Sequence, residues 1–177
     1  MRSETRLQRY ASKQPAASKF PVRIATVEFK HDVNLAFVVR AAACFGAAGI
    51  DVIGSVPPRN ILRDLSGSLS ELIDIEQFVN PQAFLAARSS TLLVALELAD
   101  GSMPLDAYTF DDAVQTTLIV GHEETGVPAG ILLRSNAIVH VPMPGVGYCL
   151  NTAMTAHVAL YEYVRQHRSR LEHAQGL

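Results

Sequence analysis

The sequence predicts one α/β domain with a mostly parallel sheet flanked by helices. Short runs of apolar, often β-branched residues recur along the chain and alternate with segments of helical character. These runs lack the polar alternation of strands that face water on one side, so both faces of the sheet are expected to be covered. The chain has 177 residues, 49% of them hydrophobic, which is enough for one such core and short for two.

The predicted domain covers residues 20–170, between a basic, flexible arm at 1–19 and a short tail at 171–177. The arm is rich in Ser, Ala, Lys and Gln and shows no periodicity beyond one helical turn. The first 23 residues carry a net charge of +5, whereas the whole chain carries −2. A basic arm on an acidic body can contact nucleic acid or can be a solvated tail, and charge alone leaves both interpretations open.

The first half of the domain predicts a strand, a helix and a second strand. The strand is expected at 22–29, the helix at 34–47 and the second strand at 50–54. Asp32 can cap the helix, and Gly49 lies near its predicted end. The prolines at 57–58 then interrupt regular structure, and the secondary structure of residues 61–80 is ambiguous.

The second half predicts three more strands and three helices. The strands are expected at 91–96, 117–120 and 137–141, and the helices at 81–88, from 128, and at 151–167. Ligands of open parallel sheets bind beyond the carboxyl ends of the strands. We therefore expect a site in the loops that follow the strands, at 30–34, 97–103, 121–127 and 142–150.

Missing motifs exclude several classes of protein. The chain lacks GxGxxG, GxxxxGK[ST], GxSxG and HExxH, so it does not carry the signatures of dinucleotide-binding folds, P-loop NTPases, α/β-hydrolases or zinc peptidases. Cys44 and Cys149 are its only cysteines, which predicts neither a disulfide framework nor a metal site. The N-terminus is polar and no apolar run is long enough to span a bilayer, which predicts a cytoplasmic protein without a signal peptide.

One candidate segment is the helix at 34–47, which is apolar at nearly every position except Asn34 and Arg40. A lone arginine in such a helix is costly to bury unless it is paired or lies at an interface. It can equally be a side chain that extends its charge to solvent. The helix alone does not decide between a functional and a structural arginine.

Two further segments lie in the second half. Glu123 stands between Gly121 and Gly126 after an apolar strand, where glycine allows the backbone to approach a ligand. Residues 142–147 contain two prolines and two glycines and lead to Asn151, which stands where a helix cap is expected. Each feature by itself also fits an ordinary turn or an ordinary cap.

In order and spacing, the three segments resemble the SpoU (TrmH-type) family of RNA ribose 2'-O-methyltransferases of the α/β-knot superfamily. The family motif N-x-G-x-x-x-R-T-A-x-x-F-G is similar to the segment with Asn34, Arg40, Ala42, Phe45 and Gly46. The motif L-x-x-G-x-E-x-x-G is similar to the segment with Leu118, Gly121, Glu123 and Gly126. The motif I-P-M-x-G-x-x-x-S-L-N-x-S-x-A is similar to the segment with Pro142, Met143, Gly145, Leu150 and Asn151. The chain departs from the pattern at Ala36, where glycine is usual, at Cys149, where serine is usual, and at 152–155.

The resemblance implies a deep C-terminal trefoil knot and S-adenosylmethionine as cofactor, with no metal. It implies that the cofactor is bound by Leu96, Gly121, Val141, Met143, Cys149 and Leu150. Arg40 is implied as the main catalytic residue, which clamps a phosphate and stabilises developing negative charge, with Asn34, Glu123 and Asn151 as positioning residues. The implied substrate is RNA, with tRNA preferred over rRNA, and the implied assembly is a homodimer through the helices at 34–47 and 151–167.

Two alternatives remain at this point. The first is a catalytically impaired member of the same fold that binds RNA or cofactor, since cysteine at position 149 is a weaker hydrogen-bonding group than serine. The second is an unrelated α/β enzyme for a small molecule, with Glu123 and His122 as its acid and base.

Overall fold

The computed structural model describes residues 5–13, 19–111 and 113–174, in which strands and helices alternate. The strands are β1 (Phe20–Val27), β2 (Ala47–Ile53), β3 (Ile75–Phe78), β4 (Leu92–Leu96), β5 (Met103–Pro104), β6 (Thr116–Val120) and β7 (Ala137–His140). The helices are α1 (Arg6–Lys13), α2 (Asp32–Phe45), α3 (Arg59–Ser66), α4 (Pro81–Ala87), α5 (Ala129–Leu132) and α6 (Thr152–Ala174).

The seven strands form one sheet in the order β3-β2-β1-β6-β4-β7-β5, and every pairing between them is parallel. One apolar core lies between the sheet and α2 and α6, with Ile24, Leu118 and Leu160 among its buried residues. A second core contains Ala25, Ile119 and residues of α4 and α5. The parallel sheet covered on both faces confirms the predicted α/β class, while the trefoil knot stays a prediction.

The boundary between α2 and β2 differs from the prediction. Gly46, not Gly49, ends the helix: its φ is +72° and its N–H donates to the Ala42 carbonyl. The helix therefore stops at Phe45, and Ala47, predicted to be helical, begins β2.

Gly49 instead lies within β2, where a Cβ atom would be 2.4 Å from Arg23 Nη1. This glycine gives room to a guanidinium group instead of terminating a helix. The N-cap position of α2 is His31, whose side chain makes no capping hydrogen bond, and Asp32 lies in the first turn and not at the cap as predicted.

The ends of the chain also hold more helix than predicted. Within the arm, α1 has eight residues, and Tyr10 packs against the main core. At the other end α6 continues to Ala174, beyond the predicted domain boundary at residue 170. The ambiguous stretch 61–80 contains most of α3 and all of β3, and β5 was not predicted. The parts of the predicted arm and tail at 1–4, 14–18 and 175–177 lie outside the described residues.

A buried ion-pair cluster joins β1 and β2 to the end of α4. Asp51 is fully buried, and its carboxylate accepts hydrogen bonds from Arg23 Nε and Arg88 Nη2, both at 2.7 Å. A buried carboxylate needs such partners, since an unpaired charge in the interior is costly. This cluster lies on the half of the sheet away from β4 and β7.

Candidate active site

The loop after β6 folds back on itself and presents Glu123. His122 N–H donates to the Gly126 carbonyl at 3.1 Å, and Gly126 N–H donates to the His122 carbonyl at 2.9 Å. Gly126 has a φ of +69°, and a Cβ atom on Gly121 would lie 2.1 Å from the Gly126 carbonyl carbon. Gly121 is thus required by the close approach of the two ends of this loop, and Gly126 by its left-handed conformation.

The Glu123 carboxylate is held by donors from the start of α2. Its Oε2 accepts from Lys30 N–H at 2.8 Å, and its Oε1 accepts from His31 N–H at 3.3 Å and from the Asn34 side-chain amide. Partial burial opposes ionisation, but the hydrogen bonds from Lys30, Asn34 and His31 outweigh it and lower the pKa of Glu123. A carboxylate with a lowered pKa is a weak base, and its hydrogen bonds hold it in a fixed position.

Asn34 links Glu123 to the start of α6. It is 5% exposed, and its Oδ1 accepts from Asn151 Nδ2 at 3.2 Å. Asn151 Oδ1 accepts from the N–H groups of Ala153 at 2.9 Å and Met154 at 3.3 Å, so Asn151 caps α6 as predicted. The structure therefore joins Glu123, Asn34 and Asn151 in one hydrogen-bonded chain.

Arg40 lies outside this chain of hydrogen bonds. It follows Asn34 by six residues on α2, which corresponds to a rise of about 9 Å along the helix. Its Nη1 donates to the Ser66 carbonyl at the end of α3, at 3.3 Å, and the side chain is half-buried. Within one chain, the structure does not bring Arg40 together with the other three residues.

Three of the predicted cofactor-binding residues meet at one edge of the sheet. Leu96, at the end of β4, is in register with Val120 of β6 and with Val139 of β7. Gly121 and Val141 follow those two strands, so all three lie at adjacent carboxyl ends. Thr152 Oγ1 donates to the Gly121 carbonyl at 2.8 Å, which fastens the start of α6 to this edge.

The other three predicted residues lie on the segment 142–150, between β7 and α6. Met143 is half-buried, Cys149 is exposed and Leu150 is 38% exposed. Tyr148 on the same segment is 89% exposed, and a Cβ atom on Gly145 or Gly147 would meet nothing within 4 Å. The segment 142–150 thus leaves apolar side chains and open backbone uncovered beside three strand ends.

Comparison with known proteins identifies the family. The family model described as "SpoU rRNA Methylase family" matches residues 21–161. The chain belongs to the SpoU rRNA methylase family. A 23S rRNA (uridine(2479)-2'-O)-methyltransferase from Streptomyces viridochromogenes is 29% identical over 141 residues, which are 75% of this chain and 48% of the relative. The chain thus spans about half the length of this relative.

Solved structures of similar fold agree with the family match. An AdoMet-bound rRNA methyltransferase from Sinorhizobium meliloti has a TM-score of 0.76 at 23% identity, covering 85% of this chain and 57% of that one. The A. aeolicus TrmH/SpoU tRNA modifying enzyme has a TM-score of 0.77 at 20% identity, covering 93% of this chain and 85% of that one. At these identities the likeness shows the fold. The family match contradicts the alternative of an α/β enzyme unrelated to this family.

The loops 30–34 and 97–103 of this SpoU family member were expected near the site, but the contacts of Lys30, His31 and Glu97 were not predicted. The N–H groups that bind Glu123 belong to the backbone of Lys30 and His31, and a backbone donor leaves no residue-type signal. Glu97 accepts from Val127 N–H at 2.8 Å and so ties the end of β4 to the Glu123 loop. A charged residue directly after a buried strand is the signal that could have marked Glu97.

Within the described ranges, no group of three or more His, Cys, Asp or Glu side chains is placed to hold a metal ion. In the same part of the chain, no helix combines the length and apolar character needed to cross a membrane.

Proposed function

We propose that this SpoU family protein transfers a methyl group from S-adenosylmethionine to a ribose 2'-hydroxyl of RNA. The hydrogen-bonded chain from Glu123 through Asn34 to Asn151 carries the proposal, because it joins one polar residue from each of the three motifs. These residues come from three separate segments and meet beside the strand ends where a ligand of a parallel sheet binds.

The cofactor in this proposal lies against Leu96, Gly121, Val141, Met143, Cys149 and Leu150. The bound cofactor supplies an electrophilic methyl group. The protein supplies the walls: apolar side chains for the adenine and backbone groups of the glycine-containing loops for hydrogen bonds. Tyr148 and Leu150 are exposed and can cover a ligand at this edge.

In the same proposal, the polar residues hold the ribose and the RNA backbone. Glu123 is fixed by three donors and has a lowered pKa, which supports a positioning role in preference to that of a general base. Arg40 is assigned the neighbouring phosphate, where a guanidinium can bind two oxygens and stabilise negative charge. Its one hydrogen bond within the described residues, to the Ser66 carbonyl, is long at 3.3 Å.

The proposed substrate is tRNA, in preference to rRNA. The tRNA modifying enzyme among the structural neighbours is of similar length to this chain, since 85% of it is covered. The 23S rRNA methyltransferase from Streptomyces viridochromogenes is covered to only 48%. The similar length supports tRNA. The proposed location is the cytoplasm, and the free, exposed state of Cys44 and Cys149 supports a reducing compartment.

The proposed assembly is a homodimer formed through α2 and α6. These helices pack together and leave apolar side chains exposed on their outer faces: Val33, Phe37, Met154, Val158 and Tyr161 are 36–57% exposed. Exposed apolar side chains on two neighbouring helices are typical of an interface. Sedimentation velocity should give twice the mass of one chain, and a monomer at micromolar concentration contradicts this part of the proposal.

The test of the reaction is transfer of radiolabelled methyl groups from S-adenosylmethionine to total tRNA and to rRNA, with wild type beside Arg40→Ala. We expect label at one ribose, which then resists alkaline cleavage, and loss of label with Arg40→Ala but not with the exposed control Arg63→Ala. Calorimetric binding of the cofactor without label in either RNA supports the catalytically impaired alternative. Absence of cofactor binding contradicts the proposal itself.

A further inference from the structure

A cavity of about 140 Å³ lies apart from the proposed cofactor site. It is enclosed by the carboxyl ends of β1 and β2, the first turn of α2 and the segment 55–58. Leu96, Gly121 and Val141 lie at the ends of β4, β6 and β7. In the strand order β2-β1-β6-β4-β7, these three strands are separated from β2 by β1. The cavity therefore belongs to a different part of the carboxyl edge.

The walls of the cavity combine an aromatic ring with hydrogen-bonding groups. Phe29, Leu35 and Val52 supply apolar surface, and Thr26, Asp32 and Ser55 supply two hydroxyls and a carboxylate. Asp32 and Ser55 are exposed, so the cavity opens to solvent on their side. Thr26 is 1% exposed, and its hydroxyl makes no hydrogen bond to another residue in the described part of the chain. A hydroxyl without a protein partner on the wall of a cavity is suited to a polar ligand.

The same loop separates this cavity from the Glu123 site. Phe29 lines the cavity, while the next two residues, Lys30 and His31, donate their N–H groups to Glu123. Thr26 is in register with Val52 on one side and with Val120, three residues before Glu123, on the other. A ligand in the cavity thus lies next to the segment that anchors the proposed ribose site.

The size of the cavity and the charge of its lining restrict the class of ligand that it can bind. A cavity of about 150 Å³ accepts one benzene ring, so a single six-membered ring fits within the walls of this cavity, whereas part of a fused purine would extend into solvent. The lining residues include a carboxylate and no basic side chain, which disfavours a phosphate group. The two hydroxyls and the carboxylate disfavour a purely apolar group, because each would lose its hydrogen bonds to water.

We propose that this cavity binds one pyrimidine base of the RNA substrate, with Asp32 accepting from an N–H of the base, the Thr26 and Ser55 hydroxyls bonding its other polar atoms, and Phe29 contacting its ring. Carboxylates accept from the exocyclic amine of cytosine, and aromatic side chains are common contacts of unstacked bases. The inference rests on the proposed RNA methyltransferase function and assigns it a specificity-determining pocket.

Cytidine 5'-monophosphate is the probe, and the methyl NMR signals of Leu35, Val52 and Val56 in the full-length protein are the readout. We expect saturable shifts of these signals, with adenosine 5'-monophosphate binding more weakly. Thr26→Val preserves shape and should weaken binding about fivefold, the effect of one hydrogen bond. Asp32→Asn should weaken it as well, because the charged acceptor is lost.

Matched controls are Thr116→Val and Asp106→Asn. Thr116 is fully buried, and its hydroxyl also lacks a partner within the described residues. It begins β6, whereas the cavity lies at the carboxyl ends of the strands. Asp106, like Asp32, is an exposed acidic residue in the first turn of a helix, here the three-residue 3-10 helix Leu105–Ala107. Both controls should bind the probe as wild type does.

Several outcomes overturn the pocket assignment: no shift of the three residues' signals, equal shifts with adenosine 5'-monophosphate, equal shifts with inorganic phosphate, or equal weakening by Thr116→Val. Methyl transfer measured in parallel separates the two proposals. Methylation of RNA without shifts of the cavity signals contradicts the pocket alone. Shifts of the cavity signals without methylation of any RNA contradict the proposed function alone.

Discussion

The Asn34 side chain accepts a hydrogen bond from the Asn151 amide at 3.2 Å, although the two residues are 117 positions apart in the chain. Asn34 also donates to Glu123, so its small, buried amide connects the start of α2, the loop after β6 and the start of α6. Removal of this amide takes one hydrogen bond from Glu123 and one from Asn151.

Asn34→Ala should therefore lower kcat for methyl transfer by about 100-fold, because loss of positioning of the order of 1 Å has that effect in enzymes. The measurement is single-turnover transfer of labelled methyl groups to RNA. Asn60→Ala, at an exposed position on α3, is the matched control and should leave kcat unchanged. A folded Asn34→Ala protein with wild-type kcat contradicts the assigned role.

Glu123 predicts a pH-dependent contribution to stability. Its pKa in the folded state lies below the ordinary value, so the ionised side chain stabilises the fold above the ordinary pKa, and this contribution is lost as the pH falls through the folded pKa. Glu123→Gln should lower the free energy of unfolding by about 1 kcal/mol at pH 7. The difference should shrink as the pH falls below about 4.

Urea unfolding of both proteins between pH 7 and pH 3.5 measures this difference. Glu124→Gln is the control, since Glu124 is exposed and pairs only with exposed Lys30 among the described residues. A gap between wild type and Glu123→Gln that stays constant over the whole range argues against the lowered pKa.

Burial explains which strands the sequence could predict. β4 and β6 are buried at nearly every position and were predicted within one residue of their ends, because a continuous apolar run is visible in the sequence. β3 has two exposed residues and one buried residue, and both residues of β5 are exposed, so neither strand produces such a run. The end of α2 was misplaced because Gly46 and Gly49 both fit a helix terminus, and only the left-handed conformation distinguishes them.

The candidate site was predictable in part for a similar reason. Glu123 and Asn151 stand in glycine-containing or proline-containing loops after strands, and polar residues in such loops indicate a ligand site. The separation of Arg40 from them follows from helix geometry combined with packing against α3, which the sequence does not specify. Thr26 was missed because a threonine inside a buried strand looks like any β-branched residue.

The buried ion-pair cluster predicts unequal effects for two aspartates that bind the same arginine. Asp51→Ala should lower the free energy of unfolding by about 3–5 kcal/mol, since it leaves Arg23 and Arg88 without their buried partner. Asp74 also contacts Arg23, at 2.9 Å, but its side chain is 63% exposed, so Asp74→Ala should cost about 0–1 kcal/mol. Denaturant titration compares the two, and equal losses argue against burial as the cause.

Cys149 is exposed, and the resemblance of the third motif places it where serine is usual. A hydroxyl is a stronger hydrogen-bonding group than a thiol, so Cys149→Ser should raise kcat/KM for methyl transfer about fivefold if it gains one hydrogen bond. The thermal unfolding midpoint should not change, because the side chain is not packed in the core. Cys44→Ser, also at an exposed cysteine, is the control and should change neither quantity. A fall in activity with Cys149→Ser shows that the thiol is preferred at this position.

The basic arm predicts a salt-dependent contribution to RNA binding. Deletion of residues 1–19 should weaken RNA binding and leave cofactor binding intact, but it also removes the packing of Tyr10 against the core. Charge reversal of the exposed Arg9 and Lys13 on α1 keeps Tyr10 and is the sharper test. We expect weaker RNA binding and a slope of log K against log salt that is smaller by about 1.5, the value for two lost phosphate contacts.

The matched control reverses the charges of Arg63 and Arg134, which are exposed on other parts of the domain. Net charge changes equally in the two double variants, so any difference between their salt slopes reports position and not overall charge. Filter binding of tRNA at several salt concentrations gives the slopes, and calorimetry with S-adenosylmethionine checks that both proteins keep the cofactor site. Identical slopes for the two variants mean that α1 does not contact RNA, and the arm is then a solvated segment tied to the core by Tyr10.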